Sequence, residues 1–190
     1  MLDVDPDLPF GAQPVAHAGD LAPDERRLLR LFRRWLSGYE AQRAAWADLC
    51  EHHGDAGARA ALAAFEAWLS AVADGATRRL QRHHLPCPCV GRDEALLTGL
   101  VSAAGRGDAE TARALALEIV RPDAASFVGS VGLTRVSIGE PMRISAAGRC
   151  GAPRAHMSAV EASAGTPGWQ TPMTAGRSPS AARKAQKSSM

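Results

Sequence analysis

Pro23-Asp24-Glu25-Arg26-Arg27-Leu28-Leu29-Arg30-Leu31-Phe32-Arg33-Arg34-Trp35 opens the part of the chain whose reading decides the fold. Pro23 suits a first helical turn, where its missing N–H would have no partner, and Asp24 and Glu25 are favoured by the positive end of a helix dipole. After Leu28, the residues Phe32, Trp35, Tyr39, Gln42, Trp46, Leu49 and His53 follow at alternating spacings of 4 and 3. That period puts them on one stripe of a helix, which Leu31, Leu36, Ala45 and Cys50 widen. Gly38 costs ~1 kcal/mol against Ala in a helix interior, which a long stripe tolerates. A break at Ser37-Gly38 is the alternative.

Gly54 and Gly57 bracket a turn. Leu62, Phe65, Leu69, Val72, Ala76, Leu80 and His83 then repeat the helical spacing, with Trp68 beside them. Two long helices joined by a short turn pair antiparallel. A shorter pair follows. Asp93 to Ala104 carries Leu96, Leu97, Leu100 and Val101, and Gly105-Arg106-Gly107 ends it. Asp108 is a good N-cap for the next helix, which carries Ala112, Leu115, Ala116, Ile119 and Val120. Pro122 closes that helix and starts a short one with Phe127, Val128 and Val131. The expected fold is all-α: a long antiparallel helical hairpin with a shorter helical pair packed on it, forming a helical domain over residues 21–131. Phe32, Trp35, Trp46, Leu62, Phe65, Leu69, Val72, Leu97, Leu100, Leu115 and Ile119 are its expected core.

The flanks read differently. Residues 1–20 hold Asp3, Asp5, Asp7 and Asp20 with three prolines and no basic residue, and read as a disordered acidic lead-in. Residues 132–190 read as a disordered, basic, low-complexity tail without a sustained apolar period. Within residues 137–190, seven lysines and arginines face only Glu140 and Glu161. Such a segment buries too little apolar surface to offset the entropy of ordering. A functional arm and an out-of-frame reading of GC-rich DNA both account for that composition.

Arg82-His83-His84-Leu85-Pro86-Cys87-Pro88-Cys89-Val90-Gly91-Arg92-Asp93-Glu94 is the chemically distinctive stretch. Thiolate sulfur and neutral imidazole suit zinc and other borderline-soft metals. His83, His84, Cys87 and Cys89 are therefore the candidate metal ligands, with zinc as the candidate cofactor. Their Cys-x-Cys spacing differs from the Cys-x-x-Cys of common structural zinc and redox sites. Three readings compete. In the first and plainest, the basic residues cap a helix, the prolines end it, and the cysteines are small buried groups. The second is a metal site, and the third a redox pair. Cys50, His52 and His53, at the hairpin turn, are too far along a continuous second helix to join His83.

Other chemistry is not signalled. The chain has no phosphate-binding glycine loop, no dinucleotide fingerprint, no nucleophile elbow and no His-Glu-x-x-His pair. A formal net charge of +2 in 190 residues supplies no field for nucleic acid. Of the arginines at 26, 27, 30, 33 and 34, Arg27, Arg30 and Arg34 form a face opposite Leu28, Phe32 and Trp35 and read as an ordinary solvated helix face. No apolar run approaches the ~20 residues of a membrane helix. The acidic start is unlike an export signal, so the expected location is the cytoplasm, with thiols reduced. The reading that follows is a non-enzymatic helical protein, a protein–protein interaction or regulatory module whose partner is another protein or a second copy. The alternative is a zinc- or iron-binding or redox-active protein using the corner at His83–Cys89.

Overall fold

The computed structural model describes residues 7–130 and the backbone of residues 169–170. Helix α1 spans Pro23–Trp35, α2 Tyr39–Gly75, α3 Arg92–Gly105, α4 Ala109–Leu117 and α5 Pro122–Ser130. Four short strands accompany them: β1 (Pro14–His17), β2 (Leu80–Gln81), β3 (Cys89–Gly91) and β4 (Trp169–Gln170). The fold is all-α, with the α1–α2 hairpin carrying the shorter α3–α4 pair. Among the described residues no helix is long and apolar enough to cross a membrane.

The first stripe breaks at Ser37-Gly38, the alternative weighed from the sequence. Gly38 has φ +90°, a conformation only glycine adopts at little cost, and it precedes α2. α1 folds back on the first arm of α2: Gln42 Nε2 donates to the Trp35 carbonyl at 2.9 Å, and Arg34 pairs with Asp48. Gly54, at φ +66°, then interrupts α2. The Arg59 guanidinium lies 5.6 Å from the Trp46 ring centroid across this interruption. Thirteen helical residues would separate the two positions by ~20 Å, so α2 turns sharply at Gly54. That is the corner expected at Gly54–Gly57.

The second arm ends at Gly75 and does not run on to His83. The α4–α5 connection crosses it there. Thr77 N–H donates to Ile119 O at 3.0 Å, and Arg121 N–H to Gly75 O at 2.9 Å. A Cβ at Gly75 would meet the Ala124 Cβ at 2.8 Å, so only glycine lets α5 come so close. Leu80 and Gln81 form β2 instead of another helical turn. His83 therefore does not lie on the continuous second helix that the sequence predicts. α3 starts and stops where expected, and Asp108 Oδ1 caps α4 by accepting the Thr111 N–H at 3.0 Å.

Trp35, Phe65 and Trp68 form the centre of the core. Phe65 is fully buried, with its ring edge-on to Trp35 and tilted against Trp68. All the expected core residues are buried except Leu115, which is half-buried against the same cluster. Arg33, one of the arginines spaced along α1, is 3% exposed.

The described part of the lead-in, residues 7–20, is not irregular throughout. Phe10–Ala12 form a 3-10 turn, and β1 pairs antiparallel with β3. The Phe10 ring lies beneath the guanidinium groups of Arg78 and Arg92. β4 runs parallel to β2, with Leu80 opposite Trp169 and Gln81 opposite Gln170. The rest of the expected 132–190 tail lies outside the described residues.

Phe65→Ala is expected to lower the unfolding free energy by about 3–5 kcal/mol, the range for emptying a large aromatic site. Urea unfolding checks this, and a loss under about 1 kcal/mol would contradict the packing. His53 yields a pH dependence. Burial first, then the charges on His52 and Arg27, hold its imidazole below the ordinary value. The resulting stability is complete above the unfolded value of about 6.5 and is lost as pH falls through the lower folded value. His53→Gln should therefore flatten the fall in urea midpoint between about pH 7 and pH 5. An unchanged slope would remove His53 as its source.

Candidate metal centre

Pro86 and Pro88 cannot donate backbone hydrogen bonds, so the chain between β2 and β3 must find its partners elsewhere. Cys87 N–H closes a turn onto His84 O at 3.1 Å. Two carboxylates at the start of α3 hold most of the rest. Glu94 Oε1 accepts the His83 N–H and Glu94 Oε2 accepts the Gly91 N–H, each at 3.0 Å. Asp93 Oδ2 accepts the Gln81 N–H at 2.8 Å, while the Arg78 guanidinium donates to both Asp93 oxygens. Both carboxylates are 0% exposed.

Arg33 reaches the same corner from α1. Its guanidinium donates to both oxygens of Glu94 at 2.7 Å. It also donates to Cys87 O at 2.7 Å and to Cys89 O at 2.6 Å. The fork therefore grips the two cysteine carbonyls and the carboxylate that fixes His83. Residues two apart in an extended segment project to the same side. With both carbonyls held by Arg33, the Cys87 and Cys89 side chains come together.

The His83 ring completes the group. Its Nε2 lies 2.7 Å from Ala12 O, an acceptor only, so Nε2 carries the proton. Nδ1 then presents its lone pair to the sulfurs, 3.3 Å from Cys87 Sγ and 3.0 Å from Cys89 Sγ. His83 is 7% exposed and both cysteines are half-buried. A Cβ on Gly91 would stand 3.1 Å from both Gly11 O and His83 Nε2, and one on Gly11 would overlap the Asp93 carboxylate. Two glycines thus let the lead-in lie against the imidazole.

Of the four ligands proposed from sequence, His83, Cys87 and Cys89 converge, their donor atoms lying within 4.8 Å of one another. His84 does not join them: it is exposed at the start of the turn. The sulfurs are joined as a disulfide, with Cα atoms 5.4 Å apart. Tetrahedral coordination at zinc–sulfur and zinc–nitrogen lengths needs donors ~3.5 Å apart, and both nitrogen–sulfur distances are already near that. Opening the disulfide gives two thiols beside a basic nitrogen. Such a set can share a proton, bind a metal or cycle between dithiol and disulfide. Cys50 packs half-buried against the main core, away from this corner.

Sequence reasoning missed Arg33, Asp93, Glu94 and Ala12. Glu94 carried a usable signal, since it stands three residues after Gly91 at a helix start, the position from which a side chain reaches back. Nothing separates Arg33 from Arg34 in the sequence alone.

Arg33→Met leaves the Glu94 carboxylate buried without its counter-charge. It should cost about 3–5 kcal/mol, and adding Glu94→Gln should recover part of the loss. Urea unfolding of the two single variants and the double variant measures that coupling. Additive losses would mean that the pair does not act as a unit.

Comparison with protein-family models, curated proteins and solved structures finds no match, so geometry alone carries the functional reading.

Proposed function

We propose that this is a small non-enzymatic helical protein with a metal centre, in which His83 Nδ1, Cys87 Sγ and Cys89 Sγ hold one zinc or iron ion. One observation carries the reading: Ala12 O fixes the His83 tautomer so that the lone pair of Nδ1 points at both sulfurs. Metal-ligating histidines characteristically donate their other N–H to a carbonyl or carboxylate. Against a disulfide that lone pair has no proton to accept, whereas a metal ion satisfies it. Two thiolates would also neutralise a divalent cation, which suits a half-buried site. Metal binding requires reduced thiols, and that favours a cytoplasmic location.

The disulfide supports a second reading, a dithiol–disulfide pair. Reduction by two equivalents of an external thiol would supply two electrons and two protons, release Cys87 and Cys89 as thiols, and leave the reductant as its own disulfide. The interaction-module reading rests on grooves between long helices. It loses ground because the helices are broken at Gly38 and Gly54 and fold onto one another.

Protein purified under reducing conditions without a histidine tag should carry about one zinc or iron per chain, and Cys87→Ser with Cys89→Ser should carry none. Metal analysis by mass spectrometry reads this directly. Metal-free protein whose two thiols re-form the disulfide on mild oxidation would favour the redox pair.

A further inference from the structure

Three converging ligands leave one tetrahedral position to fill. We propose that His17 fills it, making the centre a Cys2His2 site closed by the N-terminal segment; this rests on the metal reading above. β1 and β3 place His17 directly opposite Cys89 in antiparallel register. Ala18 N–H donates to Pro88 O at 2.7 Å, one step outside that pair. A hydrogen bond in that position makes His17 and Cys89 a non-hydrogen-bonded pair, the kind in which Cα atoms approach to ~4.5 Å and side chains are closest. Side chains directly opposite each other stand on the same face of a sheet. The His17 imidazole therefore rises from the face that carries the Cys89 sulfur.

Burial fits this placement. Val90 is fully buried and faces the core, whereas Cys89 is half-buried and His17 exposed. The open side of the three-donor group is thus the side that His17 occupies. A side-chain rotation, without backbone movement, suffices to turn an exposed imidazole toward its cross-strand neighbour. His84 is the competitor. It follows His83 in an unwound stretch where burial alternates, with His83 buried against the sulfurs and His84 exposed. Neighbouring residues of extended chain point to opposite sides, so His84 faces away. The same N-terminal segment already supplies the carbonyl that orients His83. One short piece of chain would then fix one histidine ligand and donate the other.

Cobalt(II) is the probe, titrated into the full chain after phosphine reduction. Wild-type protein should show thiolate-to-cobalt charge transfer and intense tetrahedral ligand-field bands. His17→Ala should keep the charge transfer from two thiolates and lose ligand-field intensity as water enters. It should weaken cobalt binding by more than the roughly 10–100-fold that loss of an outer-shell partner costs. His17→Cys should restore tetrahedral intensity and add the charge transfer of a third thiolate, which a merely structural role would not produce. His84→Ala should leave spectrum and affinity unchanged. If His17→Ala matches wild type, or if His84→Ala takes the loss, His17 is not the ligand and the centre itself stands. If wild-type protein shows no thiolate-to-cobalt band, the centre fails and this assignment fails with it.

Discussion

The buried pair of Arg33 and Glu94 is the constraint on which the corner depends. Two opposite charges almost out of water do not repay their desolvation by mutual attraction alone. Here each oxygen of Glu94 also accepts a backbone N–H, and Arg33 also donates to two carbonyls. With those bonds made, the pair specifies geometry. The arrangement that satisfies it turns the Cys87 and Cys89 carbonyls toward α1, leaving their side chains to meet beside His83. Moving any one of these groups would leave a buried charge or carbonyl without its partner, which is expensive in a dry interior.

The same logic extends one residue back. Asp93 gathers Arg78 and the Gln81 N–H as Glu94 gathers Arg33 and the His83 N–H. Two adjacent acidic residues at the start of α3 thus organise a stretch that contains two prolines and cannot form regular structure. Their negative charge is also favoured there by the N-terminal end of the helix dipole. The irregular backbone is as well determined as a strand, through side chains and not a ladder.

Much of this was legible in the sequence and some was not, for physical reasons. Phe32, Trp35, Phe65 and Leu97 repeat at helical spacing because they face one core, so periodicity finds them. Gly54 reads as a turn, but Gly38 is ambiguous, since a glycine within an apolar stripe is tolerated as readily as it breaks the helix. Only tertiary packing decides: α1 gains more by folding back on α2 than by extending it. The end of α2 at Gly75 was hidden because its cause, the close approach of α5, lies some fifty residues further on. The site was half legible. His83, Cys87 and Cys89 stand close in sequence and converge through local chain geometry. Arg33 and Ala12 come from distant segments and carry no pattern that sets them apart. His84 was attractive by proximity alone, and the alternation of an unwound chain turns it outward.

The reach of these contacts also bears on how the chain folds. Arg33 meets Glu94 across 61 residues, and His83 meets Ala12 across 71. The helices, by contrast, are made of bonds between residues four apart. Local structure forms before long loops close, because a contact between distant residues must first overcome the entropy of bringing them together. The hairpin and the α3–α4 pair can therefore assemble while the corner is still open. The sulfurs and the imidazole come to their final positions only when α1, α3 and the N-terminal segment have all docked. The corner is a late-forming element whose completion reports that the N-terminal segment and α1 have found the start of α3.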